Sequence, residues 1–86
     1  MKILIGKKAE RYLKKISKID QIAIVRKIRL FANPSLGEEK LKGFKNIYRV
    51  RVGDYRIVFR RTKEEVFIVL IGHRKEIYHL VDRLFK

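Results

Sequence analysis

The chain has no cysteine and no tryptophan, one proline, and nine acidic residues against twenty-three lysines and arginines. Without cysteine there are no disulfides and no thiolate-bound metals. Two histidines, His73 and His79, do not by themselves make a metal site, and no cofactor is expected. No apolar run approaches the roughly 18 residues of a membrane span. The run 3–5 near the start is too short for a signal h-region, so no membrane partner is expected and the expected location is the cytoplasm. Gln21 and Thr62 are the sole residues of their types, while Lys, Arg, Glu and Ile dominate. That bias is one that thermophile proteins share, and temperature adaptation would account for part of the charge.

What the chain has in excess is positive charge. Eighty-six residues carry a formal net charge of +14, and 47% of them are hydrophobic. The hydrophobic content is that of a globular chain, and the length allows one core. The charge speeds encounter with anions and opposes compaction by self-repulsion. Nucleic acid is the partner it points to first, with an anionic membrane or an acidic protein as other ligands of the same charge.

Residues 2–5 read as a strand ended by Gly6. Ala9, Tyr12, Leu13 and Ile16 repeat at helical spacing and predict a helix over 7–17. Asp20 is a fair N-cap for a second helix over about 21–32, with Ile24, Ile28 and Phe31 on one stripe. Asn33-Pro34 stops it, since proline cannot donate and the residue before it avoids the helical region. Residues 33–46 read as the one long loop, and Lys40, Lys42 and Lys45 make its basic tail. Two strands follow at 47–52 and 55–61, then the apolar run 66–71, read as a strand covered on both faces. A last helix over 75–85 carries Ile77, Leu80, Val81 and Leu84. The expected fold is α+β, one domain over 1–86 in the order βααβββα. It has an antiparallel sheet, an N-terminal helical hairpin on one face and a C-terminal helix elsewhere.

The most informative stretch is 48–60. Gly53-Asp54 between two alternating runs predicts a two-residue hairpin, because glycine takes the positive φ that a II′ turn needs at its first residue. That turn pairs Val52 with Tyr55, Arg51 with Arg56, Arg49 with Val58 and Ile47 with Arg60. Tyr48, Val50, Val52, Tyr55, Ile57 and Phe59 then share one face, and Arg49, Arg51, Arg56 and Arg60 the other. Two arginines directly opposite each other destabilise a ladder. A bound polyanion relieves that repulsion, so the hairpin suggests a phosphate-binding surface. A merely solvated face is the plainer reading of the same pattern.

Three segments together carry a resemblance: Glu39-Lys40-Leu41-Lys42-Gly43, the hairpin Tyr48 to Ile57, and Gly72-His73-Arg74-Lys75-Glu76-Ile77-Tyr78. In this order and spacing the chain resembles the RelE toxins of the RelE/ParE superfamily. The resemblance implies the toxin of a type II toxin–antitoxin system. It implies a metal-independent endoribonuclease that enters the ribosomal A site and cuts mRNA by attack of a ribose 2′-OH on its own 3′-phosphate, arresting translation. It also implies an acidic, RelB-like antitoxin in a heteromeric complex, with the ribosome and mRNA as further partners.

Carried over by position, the family's basic residues fall on Arg49, Arg51 and Arg56. Its C-terminal arginine falls on Arg74, and its tyrosine on Tyr78. Where the best-known member has lysines this chain has Arg49 and Arg51, and arginine is a poor base. Proton abstraction then passes to His73, since an ordinary histidine titrates near pH 6.5 and its neutral ring accepts a proton. Tyr78 either orients a phosphate or stacks on a base. Lys40, Lys42, Lys45 and Arg60 are expected to hold RNA backbone. Two other functions fit: a ParE-type toxin acting on gyrase, and a non-catalytic basic RNA-binding module.

Overall fold

A computed structural model describes residues 2–30, 39–40 and 45–85, with the backbone alone of 39, 40, 84 and 85. The elements are β1 (Lys2–Ile5), α1 (Lys7–Lys15), α2 (Lys18–Arg29), β2 (Glu39–Lys40), β3 (Ile47–Val52), β4 (Tyr55–Arg61), β5 (Glu65–His73) and α3 (Ile77–Phe85). The strands form one sheet in the order β1-β5-β4-β3-β2. Neighbours from β2 to β5 run antiparallel as expected, and β1 joins parallel to β5, so the sheet is mixed.

The hairpin takes the expected register at every pair, from Val52 with Tyr55 to Ile47 with Arg60. Gly53 sits at φ +57, the left-handed region a side chain avoids. Tight alternation then divides the sheet. On one face Val50, Ile57, Phe59, Val66, Ile68 and Ile71 pack under Ala9 of α1 and Ile24 and Ile28 of α2. On the other, Ile47, Val58 and Leu70 pack under Ile77 and Val81 of α3. The arginine face is therefore not left wholly to solvent: α3 roofs the part that carries Ile47 and Val58.

β5 serves both cores through an irregularity. Val58 pairs with Leu70 but Phe59 pairs with Ile68, which leaves Val69 as an extra residue. Ile71 and Ile68 thereby reach the same face, as a strict alternation would not permit. Gly72 lets α3 sit close. A Cβ there would stand 3.0 Å from Ile77 Cδ1 and 3.3 Å from Leu80 Cδ1.

Several boundaries differ from expectation, each for a local reason. Helix α2 starts at Lys18, capped by Ser17, whose Oγ accepts from the Asp20 N–H at 3.3 Å. Asp20 is in the first turn instead of at the cap, and its Oδ2 accepts from the Tyr55 hydroxyl at 3.0 Å. Helix α3 begins at Ile77, after a turn held by the bond from the Glu76 N–H to the His73 carbonyl. The expected long loop contains β2, whose residues Glu39 and Lys40 pair with Arg49 and Tyr48. Phe31, Ala32, Pro34 and Lys42 lie outside the described residues.

The two cores set the scale of mutational effects. Phe59 is fully buried, and Phe59→Ala should cost about 3–5 kcal/mol. Ile19 is 80% exposed on α2, and Ile19→Ser should stay within about 0.5 kcal/mol. Urea denaturation of the two variants against wild type checks both.

Candidate nucleic-acid interface

Four arginines meet around the hairpin turn. Arg51 and Arg56 are opposite one another on β3 and β4, and Arg49 lies two residues along β3 on the same face. Arg74 follows β5, and its N–H donates to the Asp54 carbonyl at 2.8 Å, bringing the end of β5 against the turn. The Arg74 Nε is 3.9 Å from Asp54 Oδ1. Arg56 is half-buried, and its Nη1 donates to the carbonyls of Tyr55 at 3.1 Å and Gly53 at 3.3 Å. Burial first, then the charges of Arg51, Arg49 and Arg74, hold the Arg56 pKa below the usual guanidinium value, while Asp54 opposes the shift. An anion bound beside these arginines meets positive charge that the protein has already assembled.

Tyr78 stands on α3, half exposed, with the Arg49 guanidinium 5.3 Å from its ring centre. The expected tyrosine thus adjoins the expected arginine. A half-exposed aromatic ring beside cations is of the kind that stacks on nucleic-acid bases.

His73 is not brought into this cluster. It pairs with Tyr55, so its side chain projects to the helical-hairpin face, whereas Arg56 pairs with Gly72 and projects to the other. The His73 ring meets the Tyr55 ring edge-on, with centroids 6.0 Å apart at 83°. Its Nδ1 accepts from the Lys75 N–H at 3.2 Å, so in the neutral ring Nε2 carries the proton. Its backbone N–H donates to the Tyr12 hydroxyl at 3.1 Å. The sheet face and the Lys75 hydrogen bond thus set the His73 ring apart from the arginine cluster with which the sequence groups it.

The peripheral cations scatter. Arg60 shares the arginine face but lies four residues from Arg56, about 13 Å along the strand, and its guanidinium lies over Phe67 at 5.5 Å. Lys45 is exposed in the turn before β3, at the end remote from Gly53. Lys40 contributes its backbone to the pairing with Tyr48. Sequence reading missed one participant: Asp54 reads as a turn residue, yet it reaches Arg74 with both its carbonyl and its carboxylate. An acid between two runs of arginine was the available signal.

The sequence model of a ParE toxin of type II toxin–antitoxin systems matches residues 3–78. The chain belongs to the RelE/ParE toxin superfamily. Toxin RelE3 of Methanocaldococcus jannaschii is 42% identical over 40 residues, 46% of this chain and 46% of that protein. The matched stretch therefore spans about half the length of that curated relative. The solved RelB–RelE antitoxin–toxin complex from Methanococcus jannaschii is similar to this RelE-type chain at 28% identity and a TM-score of 0.73, covering 90% of this chain and 96% of that one. A free mutant form of E. coli RelE shares the fold at 18% identity and a TM-score of 0.76, covering 99% and 97%.

The helical-hairpin face of this RelE-type domain makes its own prediction. The hydrogen bond to Asp20 is the main cause that raises the Tyr55 pKa, followed by burial. A raised tyrosine pKa stabilises the fold fully below the ordinary value near 10, and the gain is lost as pH rises through the folded value. Tyr55→Phe should lower the urea midpoint at pH 7, and the difference from wild type should shrink above about pH 10.

Proposed function

We propose that this RelE-type toxin is a ribosome-dependent endoribonuclease that cuts mRNA in the A site and inhibits translation in the cytoplasm. The observation that carries the reading is the convergence of Arg49, Arg51, Arg56 and Arg74 beside Tyr78. The ribose 2′-oxygen attacks the adjacent phosphorus, and the P–O bond to the 5′-oxygen of the next nucleotide breaks. The 2′-OH proton passes to water, and a water proton goes to the departing 5′-oxygen. Arg56 and Arg74 neutralise the charge that grows on the phosphorane, with Arg51 and Arg49 at its side. Such preorganised stabilisation is often the main source of an enzyme's rate enhancement. Tyr78 stacks on a base and sets the register of the strand. Lys45 and Arg60, remote from the cluster, fit contacts to RNA backbone, as do the expected Lys40 and Lys42.

The chemistry needs no metal in this scheme. Among the described residues no three His, Asp or Glu are grouped to hold one. In-line 2′-OH attack leaves a 2′,3′-cyclic phosphate, or a 3′-phosphate after its opening.

The partner we propose is an acidic, RelB-like antitoxin in a heteromeric complex. Relatives of this fold are solved as RelB–RelE complexes, and a net charge of +14 favours a negative partner. Such a segment would silence the site by covering the arginines with carboxylates or by displacing α3 and carrying Tyr78 away.

The matching sequence model is that of ParE toxins, which supports a gyrase-directed toxin as the second reading. The clustered arginines with an adjacent tyrosine favour the ribonuclease. Purified toxin should cut mRNA on programmed ribosomes, with chelator present and ribosome integrity controlled, and leave gyrase supercoiling unchanged. The 5′ fragment should end in a cyclic or 3′-phosphate. A 3′-hydroxyl end contradicts 2′-OH attack, and inhibition of supercoiling without cleavage supports the gyrase reading.

A further inference from the structure

We infer that Asp54 is a positioning residue, which aims Arg74 into the arginine cluster by holding it to the hairpin turn; this rests on the ribonuclease reading. Arg74 lies in the turn after β5, where a long exposed side chain has many rotamers to choose from. The neighbouring Arg56 guanidinium repels it. Two contacts oppose that repulsion. The Arg74 N–H donates to the Asp54 carbonyl at 2.8 Å, which places the backbone, and Asp54 Oδ1 faces Nε at 3.9 Å, which turns the side chain.

Both side chains are more than half exposed, at 57% and 67%, and such an ion pair adds little to stability. Its consequence is direction. The same turn also holds Arg56 through the Gly53 and Tyr55 carbonyls. Residues 53–55 thus hold one arginine from β4 and one from beyond β5 at the same turn. A carboxylate that merely neutralised the cluster would weaken RNA binding and slow cleavage, so its removal would help. A carboxylate that aims Arg74 has the opposite effect on rate.

The test is Asp54→Asn, which keeps a turn-compatible side chain and removes the charge, with Asp54→Glu as the conservative variant. Single-turnover cleavage at saturating programmed ribosomes should fall between about tenfold and a hundredfold in Asp54→Asn, the scale for misplacing one contacting group. Asp54→Glu should recover part of it. In an Arg74→Ala background Asp54→Asn should have no further effect. A second readout does not need activity: exchange of the Arg74 Nε–H, followed by nitrogen-15 NMR on the free protein, should quicken in Asp54→Asn while that of Arg51 does not. Faster cleavage in Asp54→Asn, an equal loss with Arg74 absent, or unchanged Nε–H exchange each overturns the proposal. Wild-type protein that cuts no RNA overturns the ribonuclease reading instead, and the exchange measurement then decides the role of Asp54 alone.

Discussion

The register of β3 against β4 is the constraint on which the rest of the molecule depends. Gly53 at φ +57 closes the loop with two residues, and the pairs from Val52–Tyr55 to Ile47–Arg60 follow without a slip. A shift of one residue would exchange the faces. Slipped by one residue against β4, strand β3 would turn Val50 out of the core beneath α1 and α2 and bring Arg49 and Arg51 into it. Burial of apolar side chains such as Val50, worth about 1.5–3 kcal/mol each, therefore holds the arginines on the opposite side. The arginine cluster is a by-product of core packing on the reverse of the same strands.

That division separates stability from charge. The helical-hairpin face supplies most of the core and the Tyr55–Asp20 bond. The other face carries a smaller core under α3 and, beside it, cations that repel one another. The fold tolerates this because Arg51 and Arg74 are exposed to solvent, while the Arg56 guanidinium is held by the carbonyls of Gly53 and Tyr55. The lowered pKa of Arg56 is the electrostatic signature of the crowding. A site that must receive a phosphate is improved by such crowding, since the repulsion is relieved on binding.

Much of this was legible in the sequence. The turn residues and the period-two alternation of 48–60 are enough to predict every hairpin pair and the division of its faces. Parity in β5 is not. Its apolar run has no polar alternation to show which residue faces which layer, and the extra residue Val69 shifts the pattern midway. His73, at the end of that strand, therefore reads as part of the arginine site, although the pairing with Tyr55 carries it to the other face. Ser17 and Asp20 are both good caps, and only the bond between Tyr55 and Asp20 shows why the aspartate is otherwise engaged. The two-residue strand β2 is too short to leave a periodic signal.

The central claim is that the arginine cluster carries the chemistry without holding the fold together, and Arg56→Ala tests it most directly. Arg56 sits at the middle of the cluster, yet its hydrogen bonds are to carbonyls of its own turn. Cleavage and unfolding should be measured on the same preparation. Single-turnover mRNA cleavage on programmed ribosomes should fall by about a hundredfold or more, as for loss of one electrostatic contact to a transition state. The free energy of unfolding should change by less than about 1 kcal/mol, or rise slightly as repulsion is removed. Undiminished cleavage in a folded Arg56→Ala protein would contradict the claim, and so would a loss of activity that only mirrors a loss of fold.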